Sequence, residues 1–128
     1  MKTILLIEDS KFLRIANERM LVKVGYQVLS ARDGEEALVI ARECLPDLVI
    51  LDMLLPKLGG PEVLRALKKD QLTTHIPVIV LSGMSQKNEQ KLKQEGASAF
   101  LEKGLLLNNP RALIDAISLA LATEVIRG

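Results

Sequence analysis

Five short apolar runs, Thr3–Ile7, Gln27–Ala31, Leu48–Leu51, Val78–Leu81 and Ser98–Leu101, punctuate the chain. Several are continuous rather than alternating, the pattern of strands buried on both faces of a parallel sheet. Between them apolar residues return at helical spacing. In the first such stretch Leu13, Ala16, Met20 and Val24 form the inward stripe, and Gly25 stands where a C-terminal cap belongs. Asp33 caps the second, with Glu36 placed to reciprocate and Ala37, Leu38 and Ala41 following; Cys44 falls on the same apolar side and reads as core. Pro61 suits the first turn of a third helix carrying Val63, Leu64 and Leu67. Residues 86–95 give a weak, polar fourth helix closed by Gly96, and Pro110 opens a fifth with Leu113, Ile114, Ile117 and Leu121 inward.

Strand–helix alternation at this spacing means βαβ units and a doubly wound α/β sheet. The 128 residues suit one domain spanning 1–128, and with 48% apolar residues there is enough for one core. No internal repeat or interdomain linker is visible. A formal net charge of +1 supplies no field to gather nucleic acid or an anionic membrane, and no basic stripe is present. Cys44 has no intrachain partner, which fits a reducing compartment. The first apolar run is far shorter than the roughly 20 residues of a membrane span, so a cytoplasmic protein is expected.

Ligands of doubly wound sheets bind beyond the carboxyl ends of the strands. Strand one ends in Glu8-Asp9, strand three in Asp52, strand four in Ser82-Gly83 and strand five in Glu102-Lys103. The fold gathers these ends at one edge. There, one like-charge pair at 4 Å costs about 4 kcal/mol at an effective dielectric near 20. An aspartate closing an apolar run needs a partner or a shifted pKa. A hard divalent cation with oxygen ligands answers that need, Lys103 adds a compact positive charge, and Ser82 offers a hydroxyl. A carboxylate nucleophile, a metal clamp, a cation and a donor together suit phosphoryl transfer.

These residues resemble the receiver domains of bacterial response regulators, over nearly the whole chain. Glu8-Asp9 matches the acidic pair, and Asp52 followed by Met-Leu-Leu-Pro-Lys-Leu-Gly-Gly matches the phosphoacceptor and its loop. Ser82 and Gly83 match the hydroxyl position and the small residue after it, Phe100 the aromatic switch, and Lys103 the lysine. The resemblance implies a flavodoxin-like five-stranded parallel sheet in the order 2-1-3-4-5 with five helices. It also implies that Asp52 accepts a phosphoryl group from a phosphohistidine of a sensor histidine kinase or histidine phosphotransfer protein. Asp9 and Asp52, the Met53 carbonyl, and Glu8 through water would hold Mg²⁺ (or Mn²⁺). Lys103 would pair with the phosphoryl group, Ser82 would move toward it, and Phe100 would rotate inward. The face of helix four, strand five and helix five would then change for a downstream partner, or for a phosphorylation-dependent homodimer.

The chain departs from the family at three places. Gly104 stands where a proline usually follows the lysine, ahead of an apolar Leu105-Leu106-Leu107 that either docks a partner or packs on the sheet. Leu54 and Met84 replace polar residues that manage the attacking water in many relatives, which predicts slow self-dephosphorylation. Phe12 and Ile15 lie off the stripe of the first helix, and with Met84 and Leu105 they are expected to form a partner patch beside the site. His75 and Lys68-Lys69 read as solvated. A haloacid-dehalogenase-type enzyme needs a second aspartate where Leu54 stands. A flavin mononucleotide carrier needs a Ser/Thr/Gly-rich phosphate loop where Glu8-Asp9 stand. A phosphorylation-independent receiver acting as an interaction module is the remaining alternative. The sequence leaves open whether this is a stand-alone receiver or one cut from a longer chain.

Overall fold

The computed structural model describes residues 1–55, 57–83, 89–103 and 109–127, with side chains excluded for 89, 90 and 123–127. Five strands, β1 (Thr3–Ile7), β2 (Gln27–Ala31), β3 (Leu48–Asp52), β4 (Val78–Ser82) and β5 (Ala99–Glu102), form one parallel sheet in the order β2-β1-β3-β4-β5. The helices are α1 (Lys11–Val24), α2 (Gly34–Cys44), α3 (Gly60–Lys69), α4 (Glu89–Gln94) and α5 (Arg111–Arg127). This is the flavodoxin-like arrangement expected from the resemblance.

The three central strands are buried almost throughout because helices cover both faces of the sheet. Side-chain alternation divides them. Leu5, Ile7, Val49, Leu51, Val78 and Val80 pack with Ala37, Ala41, Val63, Leu64, Leu67 and Leu92 of α2, α3 and α4. Ile4, Leu6, Leu48, Ile50, Ile79 and Leu81 pack with Leu21, Leu113 and Ile117 of α1 and α5. Edge strand β5 is only half-buried at all four residues.

Local signals act as expected at most helix ends. Gly25 adopts φ 112° and its N–H returns to α1 carbonyls. The Asp33 side chain accepts from Glu36 N–H at 2.9 Å, while Glu36 reaches back one residue further than expected, to the N–H of Arg32. Strands β3, β4 and β5 each run one residue beyond their apolar run, so Asp52, Ser82 and Glu102 close them, and β5 starts at Ala99 rather than Ser98.

Three expectations are corrected. Cys44 is exposed, because α2 ends at Leu45 in a left-handed conformation (φ 46°) and Pro46 is the buried residue of that stretch. The inward stripe of α1 is rotated: Leu21 is fully buried with Leu13 and Met20 half-buried, whereas Ala16 and Val24 are exposed. Polar residues on the inner flank decide that rotation, since Glu18 accepts from the Ser30 hydroxyl of β2 and Arg14 reaches the end of β1. Lys68 is not simply solvated; its ammonium donates to the carbonyls of Thr74 (3.1 Å) and Ile76 (2.7 Å). His75 and Lys69 are exposed as expected, and residues 86–88 of the fourth helix lie outside the described residues.

Candidate functional site

Register fixes which side chains meet at the carboxyl edge. Ile7 pairs with Leu51, Asp52 with Leu81, and Ser82 with Glu102. Glu8, Asp52 and Lys103 share the parity of the residues that face α1 and α5, whereas Ser82 and Phe100 share that of the residues facing α2, α3 and α4. The edge therefore carries a charged group on one side and a hydroxyl–aromatic pair on the other.

On the charged side Lys103 Nζ donates to Asp52 Oδ2 at 2.7 Å and to Glu8 Oε1 at 2.9 Å. Glu8 and Asp52 are 1% and 3% exposed, so both ion pairs lie largely out of water. Each carboxylate uses its other oxygen locally: Ser10 N–H donates to Glu8 Oε2 at 3.2 Å, and Leu54 N–H to Asp52 Oδ1 at 3.2 Å. Ser10 also caps α1, its hydroxyl accepting from Leu13 N–H. Asp9 is exposed at the rim, yet it offers an oxygen within 4.8 Å of ligand oxygens of both Glu8 and Asp52. The cluster thus holds three carboxylates, and the Lys103 ammonium pairs with two of them.

Burial holds the Glu8 carboxyl above its ordinary value, helped by the neighbouring Asp52, and the Lys103 ammonium offsets this in part. Burial alone would lower Lys103, but its hydrogen bonds to Asp52 and Glu8 outweigh burial and leave it above 10.5. Three oxygen donors with a surplus of negative charge fit a hard divalent cation. The Met53 carbonyl accepts from Gly60 N–H at 3.1 Å and, with two lone pairs, keeps capacity for a further partner.

Ser82 is buried, and Phe100 is half-buried against the core under α2, α3 and α4. Among the described residues, a Cβ placed on Gly83 would meet nothing within 4 Å. Of the expected partner patch, Phe12 is 79% exposed and Ile15 half-buried; Met84 and Leu105 lie outside the described residues, as does Gly104.

Arg14 escaped the sequence reading. Its guanidinium donates to the main-chain carbonyls of Glu8 (2.9 Å) and Asp9 (3.4 Å). The available signal was a half-apolar position near the N-terminus of α1 that carries a cation, where the helix dipole disfavours one.

The family profile for the response regulator receiver domain matches residues 4–118, so this chain belongs to that family of signalling domains. Among curated proteins it resembles the polar-differentiation response regulator DivK of Brucella ovis, at 35% identity over 103 residues, covering 80% of this chain and 84% of that protein. Among solved structures it superposes on a receiver domain from Clostridium thermocellum with a TM-score of 0.89 at 32% identity, each chain fully covered. A CheY-like receiver from Methanospirillum hungatei gives a TM-score of 0.90 at 26% identity, covering 100% of this chain and 99% of that one. Among the described residues, no helix is long and apolar enough to cross a membrane.

Proposed function

We propose that this chain is a phosphorylation-dependent receiver in which Asp52 takes a phosphoryl group from a phosphohistidine donor, with Mg²⁺ or Mn²⁺ as cofactor. The observation that carries this reading is a convergence from three different strand ends: Glu8, Asp9 and Asp52 offer oxygens within 4.8 Å of one another, and Lys103 ion-pairs with Glu8 and Asp52. Glu8, Asp9, Asp52 and the Met53 carbonyl would hold the cation, which when bound supplies charge neutralisation for the transferring phosphoryl oxygens.

An Asp52 carboxylate oxygen attacks phosphorus in line with the imidazole. The carboxyl-oxygen–phosphorus bond forms as the phosphorus–nitrogen bond breaks, and the imidazole leaves with the electron pair and takes a proton from solvent. Leu54 N–H and Lys103 orient the attacking carboxylate beforehand. Lys103 then exchanges its contact with Asp52 for a phosphoryl oxygen, and Ser82 donates its hydroxyl to another. Drawing Ser82 inward opens room for Phe100, which turns in behind it. The half-buried edge strand β5 between α4 and α5 is the surface such a change would reach, for a downstream protein or a second copy.

Treatment with a small-molecule phosphodonor and Mg²⁺ is expected to add one phosphoryl mass to the wild type and none to Asp52→Asn. An intact wild type that stays unmodified, or labelling of Asp52→Asn at the same rate, overturns the assignment and returns the chain to a phosphorylation-independent module. Leu54 is 64% exposed and apolar, so it cannot orient an attacking water. The acyl phosphate should persist for minutes or longer, and a half-life of a few seconds in the purified protein contradicts this. Phe12, exposed on α1, would pack against the donor protein. Phe12→Ala should slow transfer from a phosphohistidine protein about tenfold, the effect of losing roughly 1.4 kcal/mol of docking contact, and spare the small donor. Equal slowing on both routes removes the docking role.

A further inference from the structure

We infer that Arg14 is a positioning residue of the cation site, an inference that rests on the metal-binding reading above. Asp9 contributes a carboxylate to the oxygen cluster, but that carboxylate has no hydrogen-bond or ion-pair partner among the described residues. Its place is therefore set by the backbone that carries it. That backbone has just left the sheet: Glu8 N–H still donates to Ala31 of β2 at 3.0 Å, but among the described residues no strand partner takes the carbonyls of Glu8 and Asp9. The Arg14 guanidinium supplies the donor for both, through the same Nη1 at 2.9 and 3.4 Å. Ser10 N–H ties the same turn to the Glu8 side chain at 3.2 Å. The turn that aims two carboxylates is thus fastened at one end by β2 and at the other by the first turns of α1.

The charge of Arg14 makes this inference separable from simple electrostatics. A guanidinium beside a cation site repels the cation, so if Arg14 acted only through its charge, removing it would tighten metal binding. If Arg14 acts by fixing the turn, removing it spreads the Asp9 carboxylate over many positions and weakens binding. The two roles predict opposite signs. The hydrogen bonds of the arginine go to the main chain of residues 8 and 9, and it acts on the site through them.

The test is titration of the intact protein with Mn²⁺ alone, followed by electron paramagnetic resonance, together with the thermal midpoint in EDTA. Arg14→Ala is expected to raise the Mn²⁺ dissociation constant on the order of tenfold, the usual effect of removing an outer support of a metal ligand. Arg14→Lys, which keeps the charge and a donor, should recover most of the affinity. Should Arg14→Ala fail to fold, Arg14→Gln, neutral and shorter in reach, is expected to show the same weakening. A lower midpoint with unchanged or tighter Mn²⁺ binding reduces Arg14 to a structural residue and overturns the inference. A wild type that takes up Mn²⁺ no better than Asp9→Asn overturns the metal-site reading itself and the inference with it, an outcome distinct from the failure of Arg14 alone.

Discussion

Lys103→Met is expected to lower the stability of the metal-free protein by about 2 kcal/mol at pH 7, less than the 3–5 kcal/mol typical of breaking a fully buried pair, because the lysine side chain is a quarter exposed. For a chain of this size that corresponds to a fall of roughly 5–10 °C in the thermal midpoint. Methionine fills the volume of the lysine stem, so the loss isolates the charge. Without the ammonium, Glu8 and Asp52 face each other, with Asp9 nearby, and no cation between them.

The pH dependence has a defined sign. Burial already holds the Glu8 carboxyl above 4.5, so the folded protein keeps that proton more tightly than the unfolded chain does. The contribution of this group to stability is complete below pH 4.5 and is lost as pH rises through the higher folded value. Removing Lys103 removes the one partner that lowers it, so the loss in Lys103→Met should shrink toward pH 5 and grow toward pH 7. Lys103 itself, held above 10.5, contributes a constant amount across that window. Urea midpoints in EDTA between pH 5 and 8 check this, and an unchanged or raised midpoint at pH 7 would remove the claim that the lysine is needed to offset the carboxylates. Millimolar Mg²⁺ should restore part of the loss, because a ligand of the folded state alone stabilises it by an amount that grows with the logarithm of one plus its concentration over its Kd.

The sheet and most of the site could be read from the chain because their determinants are local and repetitive. Unbroken apolar runs such as Leu48–Leu51, alternating with helical stretches, suit strands buried on both faces of a parallel sheet, and a charged residue at the end of such a run falls at the carboxyl edge. Asp52 and Lys103 were legible for that reason, although they are 51 residues apart. The face of α1 was not. More than half of the residues of Lys11–Val24 are apolar, so several rotations satisfy the helical period, and the one adopted is selected by polar contacts. Glu18 meets Ser30 of β2, and Arg14 meets the carbonyls of Glu8 and Asp9 just past the end of β1. Neither partner is visible until the helix has docked. Cys44 failed for another reason: it is the last residue of α2, and the chain turns off just after it at a left-handed leucine, an uncommon helix stop that carries no sequence signature.

Gly60→Ala should cost about 3 kcal/mol or more and weaken divalent-cation binding in whatever fraction still folds. A methyl group at this position would lie 2.5 Å from Met53 Cα and 2.8 Å from the Asp52 carbonyl oxygen, both main-chain atoms that cannot rotate away. Relief requires the start of α3 to separate from the end of β3. That separation stretches the 3.1 Å hydrogen bond from Gly60 N–H to the Met53 carbonyl, and so moves the carbonyl proposed as a metal ligand and the residue next to the proposed phosphoacceptor. The glycine is required here for close approach rather than for an unusual φ, since its backbone is ordinary helix. Gly59→Ala is the matched control. Its methyl would meet chiefly the flexible carboxylate of Glu62, at 2.6 Å, which can swing into solvent, so this variant should stay within about 1 kcal/mol of wild type. Chemical denaturation of both variants in EDTA, with Mn²⁺ titration of each, tests the pair. Gly60→Ala and Gly59→Ala of equal stability would mean that the β3–α3 junction yields freely, and that Asp52 is not held in place by the packing of α3 beneath it.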